Sequence, residues 1–380
     1  MKKVLFLMRY PLDDDYNLKL KFNGQMRACV NLGYDVYYIG YDASSYYLCN
    51  VNSGEKQATG RTHFYKYKNY RSTFAFFDLY SALASVLKNR QFDFIYMRNK
   101  PVTSRAVSAL KKHKSSGGKL IVEIPSYGVN EASLSFARRL IYRLSKKSKE
   151  KFRQLADLYT LIGNDCPDTY NGKPAMEIVN GVSLETIPMK KQNEIGSEIH
   201  ILALASMRDW HGFDRVIRGI NSCSADEKLI LHLVGQDLDG SVQKWLSLAG
   251  ELNVSSNVIY HGALYDNQLN EMFDMCHLAV GSMAFHRIGA TTGSTLKVRE
   301  YIARGIPFIY GYEDSALDGT EWFAIRFPAD ESPVDFDRVI PLIKNIYTNR
   351  DAVKEIRRFA SENLSWEKQL RPVFTGAEEA

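Results

Sequence analysis

Between Val4 and Tyr310 short apolar runs alternate with helix-like segments almost without a break, and that alternation leaves few folds open. A buried strand followed by an amphipathic helix returns the chain to the same edge of a sheet. Repetition of the unit builds parallel sheets covered by helices on both faces. In the first half the predicted strands are Val4–Met8, Asp35–Ile39, Phe94–Met97, Lys119–Ile124 and Leu158–Ile162, with a shorter one at Met176–Val179 leading into Asn180-Gly181-Val182. In the second half they are His200–Ala205, Leu229–Val234, Val258–Tyr260, Leu278–Val280 and Pro307–Tyr310. Residues 187–197 are polar (Lys190, Lys191, Gln192, Asn193, Glu194) and carry no apolar period. The expected organisation is a Rossmann-like domain over 1–186, a linker over 187–197 and a second Rossmann-like domain over 198–364. Residues 365–380 would form a segment crossing back to the first domain. A chain of 380 residues suits two domains of ordinary size.

Composition narrows the class further. At 45% hydrophobic and 24% charged residues the chain is globular, and no apolar run approaches the length of a membrane span. The N-terminal MKKVLFLMRYP has too short an apolar run before Arg9 for a signal peptide and reads as a first buried strand. Five scattered cysteines (Cys29, Cys49, Cys166, Cys223, Cys276) form no CxxC pair, which points to a reduced, cytoplasmic setting without a zinc site. The net charge is +6, and residues 138–153 hold eight Lys and Arg against Glu150 alone, with apolar residues interleaved. Such a basic amphipathic segment suits either a solvated surface or an anionic membrane face, at the inner side of a membrane. No recognition motif for nucleic acid accompanies it.

Ligands of such sheets bind at the C-terminal strand edges, so the loops there should carry the chemistry, on either side of a cleft between the two domains. The most informative is Gly289 to Pro307, GATTGSTLKVREYIARGIP. A helix start rich in Gly, Ser and Thr offers unpaired backbone N–H groups and a positive dipole end, which suits a diphosphate. Ser294 or Thr292 would cap it. Val298, Tyr301 and Ile302 share one face and Glu300 lies opposite, about 9 Å along the axis from Ser294. That is the reach from a diphosphate to a nucleotide ribose, whose hydroxyls a carboxylate can bind. Lys297, in the first turn, opposes the dipole unless an anion is bound there.

Other strand-end loops add weaker candidates. Ser206 to Asp214 contains Arg208, a fixed fork of donors, and His211, only partly charged near neutrality. Gly24, read as lying in a loop before a helix, allows close backbone approach. Arg98, Glu123 and Tyr127 end strands of the first domain and are candidates to touch an acceptor, with a paired structural carboxylate as the other reading of Glu123. Asp237 and Asp239 read as turn and cap residues rather than metal ligands. The tyrosine clusters from Tyr34 to Tyr47 and Tyr65 to Tyr80 suit sugar stacking or ordinary packing. No GxGxxG, Walker loop, Gly-x-Ser-x-Gly or HExxH occurs.

The order of these features resembles the GT-B fold glycosyltransferases of family 4, the group 1 type, over nearly the whole chain and most strongly from Ile199 to Tyr310. The matching residues are Arg208, His211-Gly212 and Asp214 after the first C-terminal strand, Asn180-Gly181-Val182, Val234-Gly235 and His261-Gly262. They also include Glu300 to Pro307 as Glu-x-x-Ala-x-Gly-x-Pro, and Ser365-Trp366-Glu367 near the end.

The resemblance implies two Rossmann-like domains and retaining transfer of a sugar, of hexosyltransferase type, from a nucleotide-sugar donor. The acceptor would be a glycan or a lipid-linked one, in bacterial surface polysaccharide biosynthesis such as capsule. No metal or other cofactor is expected. Arg208, His211 and Glu300 would be catalytic. Gly24, Arg208, His211, Gly262, Gly293, Ser294, Thr295, Lys297 and Glu300 would hold the donor, and Arg98, Glu123 and Tyr127 the acceptor. The chain departs from the pattern at Thr292, where a sugar-contacting glutamate is usual, and at His211, where a lysine is usual. It also lacks a histidine beside Glu123-Ile124-Pro125-Ser126. Lys297 is the candidate to supply the missing charge. A nucleotide-sugar epimerase and a non-catalytic partner subunit are the alternative readings of the same fold.

Overall fold

The computed structural model describes residues 1–13, 18–63, 75–125, 127, 146–163 and 165–380. The chain divides into two compact units, Met1–Gly181 together with Trp366–Ala380, and Val182–Ser365.

The first unit carries strands β1 (Lys3–Pro11), β2 (Asp35–Tyr41), β3 (Ser45–Asn50), β4 (Lys56–Arg61), β5 (Phe94–Arg98), β6 (Lys119–Ile124), β7 (Leu158–Ile162), β8 (Thr169–Tyr170) and β9 (Lys173–Ile178). Its helices include α1 (Lys19–Asn31), α2 (Ala75–Asn89), α3 (Ser104–Ser115) and α4 (Lys146–Arg153). The sheet runs β4-β3-β2-β1-β5-β6-β7-β9-β8. From β2 to β9 the pairings are parallel, while β3 and β4 fold back as an antiparallel margin. β6 and β7 are buried on both faces, which is why they read in the sequence as unbroken apolar runs. β4, KQATGR, is an exposed polar edge with no apolar signal of its own.

The second unit holds β10 (Glu198–Leu204), β11 (Lys228–Val234), β12 (Val258–Gly262), β13 (Leu278–Val280), β14 (Phe308–Tyr310) and β15 (Ala324–Arg326). Around them lie α5 (Phe213–Ser222), α6 (Ser241–Glu251), α7 (Asp266–Met275), α8 (Leu296–Arg304), α9 (Phe336–Thr348) and α10 (Ala352–Asn363). All six strands are parallel in the order β12-β11-β10-β13-β14-β15, the doubly wound 3-2-1-4-5-6 order. Its order reverses between β10 and β13. In the first sheet the corresponding place lies between β1 and β5. Such switch points leave a crevice outside the carboxyl ends of the strands.

The final helix, α11 (Trp366–Glu379), belongs to the first unit. It buries Trp366, Leu370, Val373, Phe374 and Ala377, with the Phe374 ring 5.2 Å from Phe94 and 4.8 Å from Tyr34. The polar stretch 187–197 is part of the second unit rather than a free connection. The Lys190 amide donates to the Arg304 carbonyl at 2.9 Å, Asn193 Nδ2 to Met275 at 2.9 Å and Gln192 Nε2 to Asn349 at 2.9 Å. Its polarity thus closes the carbonyl ends of α8, α7 and α9, a use that a periodicity search reads as linker.

The tyrosines from 34 to 47 are largely core and strand residues. Tyr41 and Tyr46 are fully buried with rings 5.1 Å apart, so they are not a surface for sugar stacking. The second cluster falls largely outside the described residues, although Tyr80 is buried. The first half of the basic segment, through residue 145, also lies outside them. Its end forms α4, anchored by the buried Phe152. Among the described residues no helix is long and apolar enough to cross a membrane.

Candidate functional site

At the switch point of the second sheet the loops after β10 and β13 are tied together. The Met283 amide donates to the His211 carbonyl at 2.9 Å. Gly212 adopts φ +66°, and a Cβ there would come within 2.7 Å of Ala284 Cβ, so the residue after His211 must be glycine for these loops to touch. Arg287 clamps the outer side, donating to Asp214 at 3.0 and 2.8 Å and pairing with Glu331.

His211, expected to meet a diphosphate, is only 3% exposed. Its Nε2 lies 3.1 Å from the Ser206 carbonyl. A carbonyl can only accept, so Nε2 carries the proton and Nδ1 presents its lone pair. Ser282 Oγ at 3.0 Å and Lys297 Nζ at 2.9 Å share that lone pair. Burial, and then the neighbouring Lys297 ammonium, push the imidazole pKa down to about 2. His211 is therefore a neutral acceptor that positions Lys297, not a cation facing an anion.

Lys297 stands in the first turn of α8, 5.5 Å above the Phe213 ring, and burial pushes its pKa down to about 7. No carboxylate pairs with it among the described residues. The helix begins at Thr295, which makes no side-chain cap. The Thr295 hydroxyl instead meets the Tyr312 hydroxyl at 2.7 Å, and Ser294 Oγ accepts from Arg299 Nη2 at 3.0 Å. The N-cap position falls at Thr295 rather than at Ser294 or Thr292, the two candidates from the sequence. Arg299, fully buried and paired with Asp314, uses the serine to hold the loop. Val298, Tyr301 and Ile302 are buried as expected.

Glu300 lies half-buried on the other face, accepting from Arg304 Nε at 2.9 Å through Oε1. Arg304 is itself fixed by Asn270 at 2.8 Å. Arg208 is exposed at the mouth of the β10 loop, with no ion pair among the described residues. Gly293 is closed in by Phe285, whose ring a Cβ would approach to 2.5 Å. Gly262 ends β12 at φ +70° with open space around it, and its carbonyl accepts from the Gly235 amide at 2.7 Å. Asp237 and Asp239 serve turns, accepting from the Gly240 and Ser241 amides.

Gly24 differs from its expected place. It lies inside α1, buried, in the first unit, while the remaining donor candidates lie in the second. Glu123 also differs from the acceptor-facing expectation. It is 1% exposed with both oxygens taken, by Lys21 at 2.9 Å, Gln25 at 2.8 Å and Tyr96 at 2.8 Å. Burial alone would raise its pKa, but Lys21 and Arg98 outweigh that and hold it below the usual carboxylate range. Tyr127 is half-buried, its ring 6.1 Å from Tyr170. Arg98, at the end of β5, is the expected acceptor residue that borders an open pocket. Ser282, Tyr312 and Lys21 were not singled out by the sequence.

No family model matches the sequence. Protein CapJ from Staphylococcus aureus is 31% identical over 140 residues, which cover 36% of this chain and only 33% of CapJ. Among solved structures, sucrose-phosphate synthase from Thermosynechococcus elongatus superposes with a TM-score of 0.64 at 12% identity, over 100% of this chain and 99% of its own. HepE from Anabaena in complex with UDP-glucose gives 0.60 at 11% identity, over 99% and 100%. The likeness runs through both units, and it is a likeness of fold: GT-B, two Rossmann-like domains built on parallel sheets.

Proposed function

We propose that the chain is a glycosyltransferase that moves a sugar from a nucleotide-sugar donor, with retention, to a glycan or lipid-linked acceptor in surface polysaccharide biosynthesis. The observation that carries this reading is Lys297. It is a desolvated amine without a carboxylate partner, held by a neutral histidine in the first turn of an uncapped helix, at the switch point of a GT-B sheet. A diphosphate placed there would gain the lysine, the N-terminal amides of α8 and the dipole, and would neutralise a charge that no carboxylate among the described residues balances. Arg208 would add a bidentate grip from the loop mouth. Glu300, with Oε1 steadied by Arg304, would take the ribose hydroxyls. These groups would stabilise the leaving diphosphate as charge develops on it, without a metal.

Incubation with labelled nucleotide sugars and glycan acceptors tests the reading. Acceptor-dependent transfer is expected, lost about 10²-fold or more in Arg208→Ala and reduced in Glu300→Ala. Interconversion of sugars without an acceptor would identify an epimerase instead, and nucleotide binding without turnover a non-catalytic subunit.

A further inference from the structure

Four histidines stand ring against ring across the second sheet: His277 just before β13, His200 on β10, His232 on β11 and His261 on β12, with centroids 5.8, 5.2 and 5.1 Å apart in that order. His277 is fixed as a neutral ring. Its Nε2 lies 3.1 Å from the Glu194 carbonyl and so carries the proton, and its Nδ1 accepts from the His200 amide at 3.1 Å. The other three form a chain. His261 Nε2 lies 2.9 Å from His232 Nδ1, and His232 Nε2 lies 2.9 Å from His200 Nδ1. His200 Nε2, at the end of the chain, faces Glu198 Oε2 at 3.7 Å. Glu198 and Lys228 act on His200 through their charges, and Lys190 acts on His277. The Asp274 carboxylate of α7 is held by Lys191, at 2.8 Å from its amide and 3.2 Å from its ammonium, and Tyr347 of α9 donates to the His277 carbonyl at 2.9 Å.

Neutral imidazoles carry one ring proton each. In this chain each link between neighbouring rings holds one proton, and the remaining one sits at an end, on His200 Nε2 or His261 Nδ1. A further proton fits on the other end with both links intact. If it enters at His261 Nδ1 and both link protons move over by one ring, the charge emerges on His200, beside Glu198. Another proton would have to enter a link that already holds one, and that link would break. We propose that His200, His232 and His261 accept one proton as a single unit, and that any further proton opens the chain and makes the second unit sensitive to acid. Burial lowers the pKa of all four rings, that of His232 to about 4. In the unfolded chain each histidine is charged below about 6.5, while the folded cluster holds at most one extra proton. Unfolding therefore takes up protons in acid. The contribution of the cluster to stability is present above about 6.5 and is lost as the pH falls below it.

The test is an NMR titration of the full chain, labelled with nitrogen-15 in its histidine rings, from about pH 8 to about pH 4, across the ordinary histidine range. The expected result is one common midpoint for His200, His232 and His261, with nitrogen shifts that sum to about one proton, and no titration of His277. Glu198→Gln, at a half-exposed site, should lower that midpoint by about 0.5 pH unit and keep the fold. His232→Leu should split it, leaving His200 and His261 with separate midpoints and about one proton each. Separate midpoints in the wild-type chain, uptake of more than one proton with the folded spectrum retained, a midpoint unmoved in Glu198→Gln, or unfolding in acid before any ring takes up a proton would each overturn the proposal. The wild-type and Glu198→Gln titrations decide it even if His232→Leu fails to fold.

Discussion

Each unit draws a lysine in against the carboxyl end of its sheet, and the two lysines differ in what faces them. Lys21, 4% exposed, meets the Glu123 carboxylate at 2.9 Å, with Gln25 and Tyr96 filling the other oxygen. Burial lowers its pKa and the carboxylate resists the fall. Lys297 meets a neutral imidazole at the same distance and no opposing charge among the described residues, and burial pushes its pKa down to about 7. A buried pair that cancels itself is part of the framework. A buried amine held in place but left unbalanced is arranged for a ligand that is not part of the chain.

The largest effect expected from this contrast is on stability. Glu123→Ala leaves Lys21 buried without its counter-charge and should cost about 3–5 kcal/mol, read from urea denaturation. Removing both charges in Lys21→Met/Glu123→Ala should recover most of that loss. A single variant within 1 kcal/mol of wild type, on the order of an ordinary surface pair, would show that the carboxylate is not what compensates Lys21.

Lys297→Met should behave in the opposite sense. Without ligand it removes an unbalanced desolvated charge, so the melting temperature should hold or rise. Nucleotide diphosphate affinity should fall about 10–100-fold, the worth of one charge-assisted contact. A clear loss of unliganded stability would place Lys297 with Lys21, in the framework.

How much of this was legible beforehand depends on sequence distance. Lys119–Ile124, Leu158–Ile162 and Leu278–Val280 coincide with their predicted strands because a doubly covered parallel strand is an unbroken apolar run. β3 and β4 were not read, since a tyrosine-rich hairpin arm and a polar edge carry no such run. The place of Lys297 in the first turn of a helix was readable from local pattern. The neutral state of His211 was not, because it depends on burial in the folded domain and on Lys297, 86 residues away. Glu123 was misplaced for the same reason, its partners being 102 and 98 residues distant. Gly24 was read as a ligand loop because a glycine inside a helix interior has no local signature that separates it from one at a turn.

Proton linkage sharpens the contrast next. Lys297 has a folded pKa of about 7 against about 10.4 unfolded. The unfolded chain therefore binds more protons between those values, and unliganded stability should rise with pH through that window. An anion at the site favours the ammonium, so nucleotide binding at pH 8 should draw up to about one proton from solution. Calorimetry in two buffers of different ionisation enthalpy measures the uptake, which should vanish in Lys297→Met. Lys21 titrates against its own carboxylate, and the Glu123 and Lys21 variants should leave nucleotide-linked uptake unchanged.

The smallest effect tests the imidazole itself. His211 accepts from Lys297 and does not touch the proposed diphosphate, so His211→Ala should lower nucleotide affinity by roughly 3–10-fold, about 1 kcal/mol for one neutral contact. The proton uptake should remain, because the titrating group remains. A second signature separates positioning from charge. His211→Gln offers an amide oxygen where Nδ1 stood, and it should restore most of the lost affinity although it can never be cationic. If His211 instead met the diphosphate as an imidazolium, affinity in the wild-type chain would climb as pH falls below about 6.5, and glutamine would fail to rescue it. With the folded imidazole held near 2 and its Nε2 proton given to the Ser206 carbonyl, that climb should be absent.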